Sequence, residues 1–488
     1  MNNINSLKEN TIDVNKILFP LIFLPCVLIP KILDNDIWFL LNSGRYVMNF
    51  GIPYIEPFTI HSNMKFVMQQ WLSSVIFWLV YSNFGDAGIY FIMYITFIVM
   101  VYFMYKIAYL ISKGNFLITY AITLFFSIIF SLIIKSRPII FTILLVLMEL
   151  YALEKYIDTK DKRYLFVLPF LSLLSINMHA AMWPILFVIL LPYMIDSLKI
   201  RTKFILFQGY YNKDLVIAIG LMILIAFINP YGVDSMTYLF RSYGYPEISN
   251  YVNEMKPPNI NNAFGMFVFA LFFILVMIYI KYSQGKSTVR YFLLTVGTGI
   301  MVLFSNRNIY FFIICSFFPL AYYFRDIKIN STNKIISRKY FWLKNVLISA
   351  IIILLVSNFF INDSEYEDKE FNNLKDIIAY VLETNDVSKI SMYTGYRDGS
   401  YAEFMGVPSY LDPRAEVFIK NNNNKDDILK EYRELQDGEL YYKIVLEKYD
   451  FTHLLVSKDD ILCTYLSYDD DYIMIKSNED YYLYKSNK

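Results

Sequence analysis

Cysteine and histidine are scarce, three of each in 488 residues. Cys26, Cys315 and Cys463 lie far apart, and no CxxC pair or His/Cys cluster occurs. That excludes a disulfide framework and any zinc site of recognisable spacing. Charge is also sparse: 18% of residues, against 56% hydrophobic, a balance outside the range of soluble domains. Neither sign dominates the whole, which carries a net +1. The near-zero sum hides a division. Residues 1–360 hold 29 Lys/Arg against 16 Asp/Glu, and residues 361–488 hold 15 against 27. The basic residues are spread among short loops, a pattern that suits anionic lipid headgroups and excludes a nucleic-acid surface. The acidic tail argues the same way. No small-residue cleavage site follows the first apolar run, so it reads as a span and not as a signal peptide.

Long apolar runs are what the chain has in abundance. A membrane span needs about 20 mostly apolar residues. Stretches near that length fall at 17–32, 88–110, 117–134, 138–153, 164–176, 180–197, 214–229, 263–280, 290–304, 309–324 and 342–360. The expectation is a polytopic α-helical membrane protein with about 11 transmembrane helices. Lys and Arg crowd alternate loops, among them Lys155 to Arg163, Lys199 to Lys213 and Arg325 to Lys344. By the positive-inside rule those loops are cytoplasmic. The N-terminus is then cytoplasmic, and the large first loop 33–87 and residues 361–488 lie outside. The uncharged stretch 66–81 reads as a helix lying on the membrane surface, with Gln69, Gln70, Ser73 and Ser74 toward water. The spans read as free of central charge, with ionisable groups at their outer edge. The tail alternates strand-like and helical segments, which predicts a small α/β domain. Within it, Gly399–Tyr401 reads as a turn.

Candidate chemistry gathers on the outer face. Asp34 and Asp36 follow the first span. Two carboxylates this close repel, and partial burial raises the pKa of at least one, which suits a general base. Ordinary interfacial charge is the competing reading. Glu56 is a third carboxylate, in a turn-rich segment between Pro53 and Pro57. Arg45, Arg137 and Arg307 stand out on a face poor in cations. Guanidinium forks suit phosphate oxygens, though lipid headgroups would also satisfy them. Asn177 and His179 end another span, either to contact a sugar or phosphate or to cap the helix. Asp412 and Arg414 in the tail read as a local pair or as charges facing the membrane part.

Asp34-Asn-Asp-Ile-Trp-Phe39, Ser43-Gly-Arg45, Gly51-Ile-Pro53, Glu56-Pro-Phe-Thr59 and Gln70-Trp-Leu72 together resemble the first outer loop of bacterial GT-C-type membrane glycosyltransferases. These are relatives of protein mannosyltransferases and of the aminoarabinose transferase of lipid A. The resemblance continues through Arg137-Pro138, Asn177-Met-His179, Asn229-Pro-Tyr-Gly232, Arg307, Asp398-Gly-Ser400 and Asp412-Pro-Arg414. It implies a GT-C-like fold in a bacterial plasma membrane. It implies a polyprenyl-phosphate sugar donor, a surface glycan, lipid or protein acceptor, and an acid of the first outer loop as catalyst. Asp36 is then the base, supported by Asp34 or Glu56. Arg137, His179 and Arg307 are then phosphate or sugar contacts by position, and Arg45 and Asn177 join them as candidate substrate contacts from their place on the outer face alone. No cofactor is required, and a divalent cation is allowed without being indicated. Many such relatives read Trp-Trp-His after the second aspartate. Here the run is Trp38-Phe39-Leu40, and Glu56 stands where aspartate is usual. A non-catalytic glycan-binding or assembly subunit and a transporter of lipid-linked glycan are the alternative functions.

Overall fold

The computed structural model describes residues 19–327 and 369–487, apart from short stretches at 199, 201–204, 211–212, 243–244, 246–247, 249–251 and 283–286. The expected span at 342–360, and the boundary near 360 between membrane part and tail, lie outside the described residues.

Each other expected span contains an apolar helix. Among the described residues three helices are long and apolar enough to cross a membrane: Trp71–Ile111, Phe116–Ile133 and Ala263–Tyr282. The rest are shorter or more charged, so the count of eleven is not reached among the described residues. The first expected span is only a ten-residue 3-10 helix, Phe19–Leu28, carrying Pro25 inside it. A proline lacks the amide hydrogen that α-helix continuation needs. The Ile139–Thr159 helix is long enough, at 21 residues, but includes Glu149 and Glu154, both buried. The expectation of charge-free spans fails at this helix.

Two close approaches shape the first loop. Ile37–Phe50 is a helix within the first loop, and Asp36 stands at its N-terminal cap position. It lies against the long Trp71–Ile111 helix at Gly44, where an added Cβ would sit 2.1 Å from the Ser74 carbonyl oxygen. Only glycine allows that contact. The long helix itself breaks at Gly85, whose φ of +59° no helix accommodates. Its first leg is therefore set off from the rest of the helix by a kink. The water-facing set expected within 66–81 is wrong. Gln69, Ser73 and Ser74 are buried, because this leg packs between the loop helix and the turn at residues 178–181. Ser73 Oγ donates to the Met178 carbonyl at 2.7 Å, and Gln69 Oε1 accepts from the Ala181 amide at 3.1 Å.

The tail is an α/β unit around a four-stranded sheet in the order 392–393, 453–457, 481–486, 472–477. The first pair is parallel and the others antiparallel. Side chains alternate along the inner strands. Leu455 and Leu483 join the core continuous with the membrane helices, while Leu454, Val456 and Tyr484 join a second core within the tail. The Lys369–Thr384 helix buries Leu374, Ile377, Ile378 and Val381, a single helical stripe. Gly399–Tyr401, expected as a turn, opens the short helix Gly399–Phe404, in which Ala402 is fully buried. The first loop is woven into the tail: Thr59 bridges Ser409, and the Ile60 amide donates to the Ser409 carbonyl at 3.0 Å. Trp38 stacks on Phe371 at 5.3 Å and meets Tyr401 edge-on at 5.1 Å.

Candidate active site

Between the membrane helices, the first loop and the tail lies a cavity of about 1110 Å³. Asp34, Asp36, Lys135, Arg137, His179, Glu254 and Arg307 line its membrane side. Tyr396, Asp398, Tyr432, Asp460 and Tyr481 line its tail side.

The membrane side is organised by one turn. Pro138 fixes the start of the Ile139–Thr159 helix, so Lys135, Ser136 and Arg137 arrive on the connection before it. All three touch Asp34. Lys135 Nζ lies 3.2 Å from Oδ2, Ser136 Oγ accepts the Asp34 amide at 3.0 Å, and Arg137 Nε donates to Oδ1 at 2.7 Å. The same Arg137 Nε lies 3.1 Å from Asp36 Oδ2. Arg137 Nη1 reaches both oxygens of Glu254, at 3.0 and 3.1 Å. Glu254 is held by the turn carrying Arg307, since Ser305 Oγ donates to its carbonyl at 3.1 Å and the Asn306 amide donates to the Lys256 carbonyl at 3.0 Å.

The two aspartates have been driven apart electrostatically. For Asp34, burial works to raise the pKa, but Arg137 and Lys135 outweigh it and hold the carboxyl below its ordinary value. Asp36 is pushed up to about 7, first by burial. Arg137 and Arg307 pull it down, while Asp34 and Glu254 push it further up. One acid stays ionised and its neighbour sits near neutrality, the condition for proton exchange at physiological pH. Burial works to lower the pKa of Arg137, and its three carboxylate neighbours raise it above its ordinary value.

The other candidates divide. His179 lines the cavity, with Nδ1 2.9 Å from Thr142 Oγ1. Asn177 is consumed by structure: it accepts from Trp71 Nε1 at 3.0 Å and donates to the carbonyls of Leu173 and Ile228, both at 2.9 Å. Arg45 turns to the tail, donating to Asn42 Oδ1 and the Phe404 carbonyl, each at 2.7 Å, with its guanidinium 4.9 Å from the Phe404 ring. Glu56 does not line the cavity. It accepts from the Phe58 and Thr59 amides and pairs with Arg414 Nη2 at 3.0 Å. Arg414 also binds Asp412 and Glu403, so it does pair locally, and it reaches the cavity wall as well. Glu254 was not foreseen. It is one of several acids in the 230–262 loop, and nothing in the sequence singles it out.

Among the described residues no group of three or more His, Cys, Asp or Glu side chains is disposed to hold a metal ion. Asp34, Asp36 and Glu254 share a neighbourhood, but an arginine occupies its centre.

This arrangement of helices, first loop and capping tail is a fold shared with solved membrane proteins. The solved structures it resembles include archaeal oligosaccharyltransferase AglB from Archaeoglobus fulgidus, in complex with an inhibitory peptide and a dolichol-phosphate. That match has a TM-score of 0.60 and 11% identity over 91% of this chain and 69% of the other. The same enzyme tethered to an acceptor peptide with an NVT sequon matches at a TM-score of 0.56 and 11% identity, over 96% of this chain and 73% of the other. Its complex with zinc and sulfate matches at 0.57 and 12% identity, over 91% and 68%. No protein-family model matches the sequence. No curated protein does either.

Proposed function

We propose that this chain is an inverting glycosyltransferase working on the outer face of a plasma membrane. Residues 361–488 and the 33–87 loop face outward in this reading, and the N-terminus is cytoplasmic. The donor is a sugar on a polyprenyl phosphate. The acceptor is a surface glycan, lipid or protein. The observation that carries the proposal is the pair Asp34 and Asp36 at the membrane edge of a tail-capped cavity, one ionised and the other poised near pH 7.

In the reaction the acceptor oxygen attacks the anomeric carbon from the face opposite the lipid phosphate. Its proton passes to the Asp36 carboxylate. The anomeric C–O bond breaks, and the phosphate leaves with the electron pair. Arg307, with Lys135, stabilises the charge that develops there. Arg137 holds Asp36 in place. The dolichol-phosphate bound in one AglB structure and the acceptor peptide on another support a lipid phosphate on the donor side and keep a protein acceptor in play. These likenesses favour the oligosaccharyltransferase branch over the mannosyltransferase and aminoarabinose transferase types.

The test is transfer from a panel of radiolabelled polyprenyl-phosphate sugars into a natural membrane extract, with membranes carrying wild type or Asp36→Asn. The expected loss in the variant is about 10²–10⁴-fold, at unchanged protein level. Equal transfer by both would remove Asp36 from the chemistry. No transfer from any donor would favour the glycan-binding subunit, a reading supported by the absence of histidine after Trp38 and by the ion pairing of both aspartates.

A further inference from the structure

A fold of this kind has been solved with zinc bound, and convergent carboxylates are the donors a divalent cation takes. The donor set here does not fit one. Asp34, Asp36 and Glu254 already converge, and the point of convergence is the guanidinium of Arg137, at 2.7, 3.1 and 3.0 Å. Asp34 spends its second oxygen on Lys135 at 3.2 Å. Among the described residues no group of three or more His, Cys, Asp or Glu side chains is disposed to hold a metal ion, with or without His179. A metal ion bound by these acids would have to displace a permanently charged arginine or share its ligands at contact distance.

We propose that Arg137 is the resident cation of this site. Its guanidinium takes the place a divalent metal would fill, fixes the Asp34–Asp36–Glu254 arrangement by hydrogen bonds, and makes the site independent of metal. This rests on the reading of the cavity as the transfer site and concerns how that site is held.

The experiment is a manganese titration of the purified full-length protein in detergent, following the free hexaaquo-Mn²⁺ signal by electron paramagnetic resonance. It uses neither donor nor acceptor, so its result is separate from that of the transfer assay. Wild type and Arg137→Lys are expected to leave the free signal unchanged at stoichiometric metal. Arg137→Gln is expected to take up one equivalent, and Asp36→Asn added to it to release that equivalent. Uptake by wild type that Asp36→Asn abolishes would overturn the proposal. So would a monodisperse Arg137→Gln protein that takes up none, because the acids would then never have formed a cation site.

Discussion

Arg290 and Arg137 each gather carboxylates, and they do so in opposite ways. Arg290 joins the Ile139–Thr159, Pro184–Asp196 and Val289–Phe304 helices in a sealed network. It binds both oxygens of Glu154, at 3.0 and 3.2 Å, and Asp196 at 2.9 Å. Tyr193 and Tyr291 donate to the same Glu154, and the Gln208 amide donates to Asp196. The guanidinium side chain is 6% exposed and its partners 4% and 0%. Arg137 has no such shell. Its side chain is 23% exposed, that of Asp36 22% and that of Glu254 41%, and all face the cavity. A network built to hold helices together satisfies every donor and excludes water. The Arg137 network leaves one side of its charges turned to an open space, as the proposed transfer site requires.

The sharpest way to break that contrast is to remove each arginine. Arg290→Met strands two carboxylates where nothing can hydrate them, and the expected cost is about 3–5 kcal/mol of stability. Arg137→Ala leaves its acids beside a hydrated cavity, and the expected cost is only about 1 kcal/mol. Transfer should show the reverse order. Arg137→Ala is expected to lose about 10²–10³-fold, while Arg290→Met keeps full transfer per folded molecule. Denaturant titration in detergent micelles beside the transfer assay reads both axes. Equal stability losses would mean that the two networks do the same job.

The contrast could be anticipated from the sequence only in part. Asp34 and Arg137 could be placed at one membrane boundary because each stands at the end of an apolar run, but Arg137 reads there as a substrate contact, and its pairing with the two aspartates was not foreseen. Glu254 could not be placed, since it lies 117 positions from Arg137 in a loop whose path no local pattern specifies. Arg45 and Glu56 show a different limit. A charge in the first loop has the same local signature whether it meets a substrate or ties down a domain. Only the docking of the tail, at Phe404 for one and Arg414 for the other, separates the two uses. Glu149 and Glu154 were passed over because the helix is apolar on average, and averaging conceals single buried acids.

Titration sharpens the comparison by a smaller amount. Asp36 must be ionised to accept a proton, and its carboxyl is pushed up to about 7. Transfer is therefore expected to fall as pH drops through 7, approaching about tenfold for each further unit. The raised value also has a stability consequence of opposite sense. A carboxyl whose folded pKa exceeds its unfolded one stabilises the fold at low pH, and that contribution is lost as pH rises toward 7. Asp36→Asn should flatten both trends. A transfer profile level from pH 5 to 8 in wild type would show that no group at this pKa takes part.

The smallest expected effect lies where the first loop meets the tail. Arg45 donates with one nitrogen to its own helix at Asn42 and to the Phe404 carbonyl, and its flat guanidinium lies against the Phe404 ring. Lysine keeps the charge but not the planar fork that stacks and donates at once. Arg45→Lys is expected to cost about 1 kcal/mol, felt at the contact and not throughout the fold. Hydrogen exchange should quicken in peptides covering residues 37–50 and 399–406 and stay unchanged in the Ile139–Thr159 helix. Transfer should fall by no more than a few fold, because the cavity loses only the firmness of one wall. A loss as deep as that of Arg137→Ala would put Arg45 among the groups that meet the substrate, and would mean that the tail closes onto the loop with Arg45 turned inward.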